Sequence, residues 1–263
     1  FVTPKKPGAV VIPNPFYQIY EGAALLAGVQ PTLIPCPPEL DYLANYRELS
    51  EDEWAQCDLL FVCTPGNPSG AVIPEKELHF LIEKAVEHNV VLVSDECYSE
   101  LYYGDPPTGA AEACAALGDI DKDAMKNVVA MNSLSKRSSA PGLRSGFVAG
   151  DADLIRRFAR LRDYGGAPPP LPLQAAATAL WSDEEHVIAN RAVYAAKYDS
   201  AAEILEGKYG YYTPEGGFYL WLDVGDGEDA AQRLWGEAGV RVIPGEYLAR
   251  EADGHHPGAG YIR

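Results

Sequence analysis

Short apolar runs alternate with helical periodicities along the first half of the chain. Leu59 to Cys63 and Val90 to Ser94 are unbroken apolar runs of strand length, and Asn127 to Met131 and Gly146 to Ala149 repeat the pattern. Between them, Tyr17 to Leu26 reads as a helix stopped at Gly28, and Glu75 to His88 as a second helix. Strands that are apolar throughout must be covered on both sides, so the alternation predicts an α/β fold: a largely parallel sheet with helices on both faces. Ligands of such sheets collect beyond the carboxyl ends of the strands, and Asn67 and Asp95 fall just past two of them.

The rhythm then changes. A helix is predicted from Ala152 towards Arg162, a Pro-rich turn follows at Gly165-Gly166-Ala167-Pro168-Pro169-Pro170, and Gln174 to Trp181 is helical again. Ser182-Asp183-Glu184-Glu185 has the form of a capping box opening a long helix that runs to about Lys208. Strand-like Phe218 to Val224, a helix from Glu228 to Ala238 and strand-like Val240 to Ile243 complete a smaller α+β unit. The expected division is 1–182 for the large unit and 183–263 for the small one.

Composition narrows the function. Of the 263 residues 47% are hydrophobic, yet no apolar run approaches the roughly 20 residues that span a bilayer. Phe1 to Pro7 carries basic residues without a following apolar h-region, so no signal peptide is read and a cytoplasmic address is the default expectation. A formal net charge of −17 opposes nucleic-acid binding through a basic surface, so any anion site must be local. The five cysteines are scattered without a Cys-x-x-Cys pair, and the five histidines show no ligand spacing, so no metal site is expected. Neither Gly-x-Gly-x-x-Gly after a strand nor Gly-x-x-x-x-Gly-Lys-Ser/Thr occurs, which counts against a nucleotide-binding domain.

Candidate chemistry sits in five short segments. Ser133-Leu134-Ser135-Lys136, with Arg144 in Pro141-Gly142-Leu143-Arg144-Ser145-Gly146, offers an amine, two hydroxyls and a guanidinium in one stretch. A lysine that forms an imine with a cofactor aldehyde needs such neighbours to hold the cofactor's phosphate. Upstream stand Thr64-Pro65-Gly66-Asn67-Pro68-Ser69-Gly70 and Val93-Ser94-Asp95-Glu96-Cys97-Tyr98; Asn14-Pro15-Phe16-Tyr17-Gln18-Ile19-Tyr20 lies near the start and Gly258-Ala259-Gly260-Tyr261-Ile262-Arg263 closes the chain. Taken singly, each has a plain structural reading: Asp95 as a helix or turn cap, Asn67 as turn chemistry, Tyr98 and Tyr17 as core, Lys136 as solvated charge and Arg263 as a frayed end.

Together, in this order and at these spacings, the segments resemble the fold-type I, pyridoxal-phosphate-dependent aminotransferases of class I/II, over essentially the whole chain. Pro214-Glu215-Gly216-Gly217-Phe218-Tyr219-Leu220-Trp221 and Val242-Ile243-Pro244-Gly245 extend the match. The resemblance implies that Lys136 is the Schiff-base lysine and proton shuttle and that Asp95 pairs with the pyridinium nitrogen. It implies that Asn67 and Tyr98 bond the phenolic oxygen, with Tyr17 stacked on the ring. Ser133, Ser135 and Arg144 are matched to the phosphate, and Arg263 to the substrate α-carboxylate. Arg137 is given no role. Residues 13–23, Asn132 to Ser138 and the Gly-Gly-Ala-Pro-Pro turn look most like bacterial succinyldiaminopimelate aminotransferases of lysine biosynthesis, with 2-oxoglutarate as acceptor. Aspartate, alanine or aromatic aminotransferases and carbon–sulfur lyases share the same set, and the aminotransferase-like module of some transcription regulators is the non-enzyme alternative. A homodimer, amino acid and 2-oxo acid substrates, and no nucleic-acid or membrane partner are implied. Family members carry further segments before Tyr17 and after Arg263, so the chain is expected to be an interior fragment, with activity of its own in question.

Overall fold

The computed structural model describes residues 9–118, 125–166, 168–252 and 254–263. Nine helices and eight strands are found among them. Strands β1 (Val10–Asn14), β2 (Thr32–Pro35), β3 (Leu59–Cys63), β4 (Val91–Asp95), β5 (Val128–Ser133) and β6 (Gly146–Gly150) form one sheet in the order β2-β1-β3-β4-β5-β6. Its pairs are parallel except the last, β5 with β6, which is antiparallel. The connecting helices are α1 (Gln18–Leu26), α2 (Glu51–Gln56), α3 (Glu75–Glu87), α4 (Ala110–Leu117) and the four-residue α5 (Leu134–Arg137). Then follow α6 (Ala152–Gly165), α7 (Leu171–Trp181) and α8 (Glu185–Leu205). A second sheet pairs β7 (Leu222–Asp223) antiparallel with β8 (Tyr261–Ile262), with α9 (Gly227–Ala238) between them in the chain.

The inner strands β1, β3, β4 and the first half of β5 are covered on both faces, as their apolar runs require, and the edge strand β6 is more open. Val11, Leu60, Val62 and Leu92 point into a core shared with Leu78, Leu81 and Ile82 of α3 and Ala113 of α4. Their neighbours Val10 and Ile12 point the other way, into a core with Tyr20 and Ala24 of α1 and with Phe16, Tyr98 and Leu101. Side chains alternate in direction along a strand, so consecutive apolar residues serve opposite layers. Register fixes where the strands end: Cys63 lies beside Asp95, and Asp95 beside Met131. The carboxyl ends of β3 and β4 are thereby level, and β5 runs two residues further, to Ser133.

Most predicted elements are observed, with differences that have physical causes. Strands β1 and β2 and helices α2 and α4 go beyond the sequence expectation. The α2 start carries a complete capping box, Ser50 with Glu53, whereas the box predicted at Ser182 to Glu185 does not form. Ser182 instead closes α7, Glu184 precedes α8 without a side-chain cap, and Asp183 accepts from the Glu185 N–H (3.0 Å) and pairs with His186 (2.6 Å). The long helix ends at Leu205, short of Lys208, and Gly207 follows with φ +70°. Phe218 to Val224 narrows to the two residues of β7, because Phe218 and Tyr219 pack against the large sheet's core instead of pairing along an edge. Val240 to Ile243 is no strand; Ile243 exchanges two backbone hydrogen bonds with Arg263, at 3.0 and 2.9 Å. Phe1 to Pro7, and Ala167 of the Pro-rich turn, lie outside the described residues.

One close approach binds the loop after β3 to the segment before β7. Gly70 (φ +77°) accepts a hydrogen bond from the Gly216 N–H at 3.0 Å. A Cβ on Gly216 would stand 2.4 Å from Pro65 Cγ and 2.9 Å from the Leu101 carbonyl. Only glycine lets these backbones meet. Gly216→Ala is therefore expected to cost about 1–3 kcal/mol through overpacking, seen as a lower urea midpoint at unchanged m-value. A midpoint equal to that of the parent would show that the loops part without penalty.

Candidate active site

The level strand ends supply most of the candidate site. Asp95 is the last residue of β4, and the chain turns there so that its Oδ1 accepts from the Cys97 N–H at 3.1 Å. Its Oδ2 accepts from the Tyr20 hydroxyl at 2.6 Å. Tyr20 is buried and stacks on Phe61, 4.8 Å between ring centres. Burial chiefly, with Cys63 and Asp95 adding to it, pushes the Tyr20 phenol well above its ordinary range, so it stays protonated as a donor to Asp95. Nothing in the Pro-x-Tyr reading singled Tyr20 out. The usable signal was its place three residues after Tyr17, on the same side of a helix start.

Lys136 lies in α5, whose N-terminus is capped by Ser133: the Ser135 N–H donates to Ser133 Oγ at 3.1 Å, and Ser133 Oγ lies 2.9 Å from Ser135 Oγ. The amine of Lys136 sits 5.3 Å from the centre of the Tyr98 ring and forms no ion pair with any described residue. Its charge reaches Cys63 and Cys97, where it partly offsets the burial that pushes both thiols up. Tyr98 is buried and its hydroxyl lies 3.1 Å from the Tyr219 hydroxyl. Burial first, and then that contact, raise the Tyr98 phenol far above its usual value.

Asn67 and Arg263, 196 positions apart, meet directly. The Arg263 guanidinium donates from Nη1 to Asn67 Oδ1 at 2.8 Å and lies 4.1 Å from the Tyr219 ring centre. Arg263 is therefore no frayed end: its backbone is paired with Ile243 and its side chain is held by Asn67 and by the Tyr219 ring. Asn67 is 6% exposed, and its Nδ2 donates to no described residue. Tyr17, half-exposed at the N-cap of α1, packs edge-on against Tyr20 at 5.7 Å. Arg144 is exposed and donates to the Pro141 carbonyl at 2.7 Å, although Ser133 Oγ bonds the carbonyl of the next residue, Ser145, at 3.2 Å. So Asn67, Arg263, Tyr219 and Tyr98 form one chain of contacts with Lys136 beside the Tyr98 ring, Asp95 is held separately by Tyr20 and Cys97, Ser133 and Ser135 bond each other, and the Arg144 side chain is turned to the Pro141 carbonyl.

Arg137, given no role from sequence, is 5% exposed and anchors α5 from beneath. It donates to the Leu180 carbonyl at 2.7 Å, pairs with Glu184, and lies 5.3 Å from the Trp181 ring centre. Glu96, next to Asp95, is buried as well. Its Oε1 accepts from the Ala110 N–H (2.7 Å) and the Ser94 hydroxyl (2.9 Å), and its Oε2 from Asn132 Nδ2 (3.4 Å). Glu96 and Tyr219 are the other site-border residues that sequence reasoning passed over.

The donor set suits pyridoxal phosphate. Lys136 offers a free amine to an aldehyde, Asp95 a carboxylate to a ring nitrogen, and Asn67 Nδ2 with Tyr98 Oη offers donors to a phenolic oxygen. The hydroxyls of Ser133 and Ser135 at a helix N-terminus suit a phosphate.

The chain as a whole is similar to known proteins. The family described as aminotransferase class I and II matches residues 1–255. A solved aminotransferase structure from Neisseria meningitidis is 42% identical, covering 98% of this chain and 65% of that one, with a TM-score of 0.89. An LL-diaminopimelate aminotransferase of Maridesulfovibrio salexigens is 28% identical, over 94% of this chain and 63% of its own length. A Thermus thermophilus structure named "probable N-succinyldiaminopimelate aminotransferase" is 26% identical, covering 99% of this chain and 68% of that one, with a TM-score of 0.84. The chain thus spans less than two thirds of the curated relatives it matches.

Glu96 gives the site a pH signature. Burial, the largest influence, holds its carboxyl above the ordinary 4.5, against the lowering effect of its hydrogen bonds. The folded state then binds the Glu96 proton more tightly than the unfolded chain. Its contribution to stability is complete below the ordinary value and is lost as pH rises through the raised folded one. Glu96→Gln keeps an acceptor and removes the titration. As pH rises from the ordinary 4.5 through the raised folded value, the parent should lose stability relative to this variant, as read from urea midpoints. A constant difference between the two proteins would contradict the assignment.

Proposed function

The chain belongs to the class I and II aminotransferases, whose members use pyridoxal phosphate, and from that premise we propose that it serves transfer of an amino group between an amino acid and a 2-oxo acid. What carries the reading is the free amine of Lys136 bordered by Tyr98, with Asp95 held at the adjoining strand end and Arg263 fixed on Asn67. When bound, the cofactor supplies the electron sink that lets the substrate's Cα–H bond break.

The residues divide the remaining work. Lys136 Nζ takes the proton from Cα and returns it as general base and then acid. Asp95, oriented by Tyr20 and the Cys97 N–H, holds a proton on the ring nitrogen. Tyr98 Oη and Asn67 Nδ2 donate to the phenolic oxygen. Arg263 binds the α-carboxylate with its planar fork, and its existing bond to Asn67 sets the plane of that fork. Tyr17 covers the ring, and Ser133, Ser135 and Arg144 take the phosphate; for Arg144 this requires the guanidinium to leave the Pro141 carbonyl. Residues 1–182 are read as the cofactor-binding unit and 183–263 as a smaller unit, a division supported by the two separate sheets. A cytoplasmic homodimer is part of the same proposal. Among the described residues, no helix is long and apolar enough to cross a membrane.

Borohydride reduction with pyridoxal phosphate, followed by peptide mapping, tests the core of the reading. The label is expected on Lys136 and absent from Lys136→Ala, which should also lose turnover. Labelling of another lysine, such as Lys126, would overturn the assignment.

For the donor we propose N-succinyl-LL-2,6-diaminopimelate, with 2-oxoglutarate as acceptor, as in lysine biosynthesis. The names of the Thermus and Maridesulfovibrio relatives support a diaminopimelate-type donor. An arginine fork grips any amino acid, so selection must come from groups that pair with the distal end. The expected result is a kcat/KM for this donor well above those for aspartate, alanine and phenylalanine, measured with one acceptor. A gap of about tenfold or less, roughly 1.4 kcal/mol, would favour a broad-range aminotransferase and overturn the specific donor.

A further inference from the structure

We propose that Tyr219 is a positioning residue that couples the Arg263 end of the site to the hydroxyl of Tyr98; the inference rests on the pyridoxal-phosphate reading above. Its ring faces Arg263, 4.1 Å from guanidinium carbon to ring centre, while its hydroxyl reaches Tyr98 Oη at 3.1 Å. No other described side chain touches both. Its backbone is fixed independently, because the Tyr198 hydroxyl donates to the Tyr219 carbonyl at 2.8 Å. The ring is wedged against Phe218 (4.6 Å) and edge-on to Tyr98 (5.9 Å), so the hydroxyl has little freedom to leave its partner.

The two phenols share one hydrogen bond and hold two protons. Neither hydroxyl bonds to any other described residue, so one proton is committed between them and the other is free for a third acceptor. An ionised oxygen beside Tyr98 draws the free proton from Tyr98, which makes Tyr219 the donor within the pair. A phenol that receives a hydrogen bond is itself the stronger donor, because bonds in a chain polarise one another. The guanidinium over the Tyr219 ring acts in the same direction, since a cation on the ring face draws electron density from the phenol and makes its O–H a stronger hydrogen-bond donor. Tyr219 therefore does two separable things. Its ring holds the Arg263 fork, and its hydroxyl strengthens donation by Tyr98 to the cofactor's phenolic oxygen.

Two substitutions separate these roles. Tyr219→Phe keeps the ring and loses the hydroxyl; Tyr219→Leu loses both. Donation to the phenolic oxygen favours its ionised form, so weaker donation should move the acid–base midpoint of the bound cofactor's visible band upward by about 0.5–1 pH unit in both variants. KM for 2-oxoglutarate should stay within about twofold of the parent in Tyr219→Phe and rise about three- to thirtyfold in Tyr219→Leu, as loss of the cation–π contact requires. The shift should vanish when Tyr219→Phe is made in a Tyr98→Phe background, because the effect travels through that hydroxyl.

A parent that develops no borohydride-sensitive visible band with pyridoxal phosphate would overturn the cofactor reading, and this inference with it. A parent with the band, but a Tyr219→Phe midpoint within about 0.2 pH unit of it, would overturn the inference alone and leave the cofactor reading standing. The Phe variant carries the test even if the Leu variant is unstable.

Discussion

A carboxylate at the carboxyl end of an inner, buried strand is the constraint around which the rest of this molecule is arranged. Asp95 ends a strand whose preceding residues, Val91 to Ser94, are all buried, and it has to be satisfied where water is scarce. The Tyr20 hydroxyl and the Cys97 amide do so on its two oxygens. Each of those partners has its own requirement. Tyr20 must come from the start of α1, which sets how β1 hands the chain to its helix, and the Cys97 amide must come from a turn directly after β4. Parallel register then carries the consequence sideways, since Cys63 and Met131 are level with Asp95: the loop after β3 opens at the height of the β4 end, and β5 runs on two residues to Ser133.

The lysine is placed by a different device. A helix of four residues cannot sustain itself, because nucleation costs more than its few bonds return. It is held from outside at both ends: Ser133 caps its start, and the buried Arg137 ties its end to the Leu180 carbonyl and to Glu184. Asn190 adds a bond from Nδ2 to the Lys136 carbonyl at 3.3 Å. Two adjacent cations thus have opposite fates. Arg137 commits its charge to a helix terminus, where backbone carbonyls favour it, and that leaves the Lys136 amine free of any ion pair among the described residues.

How far the sequence was readable follows from the range over which each feature is determined. The inner strands and α3 were legible because burial on both faces, or on one stripe, writes itself into consecutive residues. Asp95 was legible because a polar residue that ends an apolar strand stands out, Lys136 because Ser-x-Ser-Lys with Arg144 gathers an amine, hydroxyls and a guanidinium in one stretch, and the family resemblance gave both their expected roles. The box at Ser50 to Glu53 was equally readable and was overlooked, whereas the one at Ser182 to Glu185 had the right letters and the wrong neighbours: α7 already claimed Ser182 as its end. Tyr219, Glu96 and Arg137 could not be read at all, and Tyr20 only through its place three residues after Tyr17. Each acts through a partner between 14 and 121 positions away, and no local pattern records that pairing.

Long-range closure also explains why the small sheet matters to the site. Arg263 reaches Asn67 only because Ile243 pairs with its backbone, because β8 lies beside β7, and because Gly216 passes close enough to Pro65 and Gly70 to bring residues 217–219 over Tyr98. Such contacts between distant segments form late and are lost early, since closing them requires ordering the chain between. The Arg263–Asn67 bond and the Tyr219–Tyr98 bond therefore rest on the same loop approach. Loosening that approach at Gly216 would displace the Arg263–Asn67 pair and the phenol pair together, whereas a change confined to Asp95 or Tyr20 would leave Arg263 where it is. The Asp95 end of the site is thus built by one sheet, and the Arg263 end by the meeting of two.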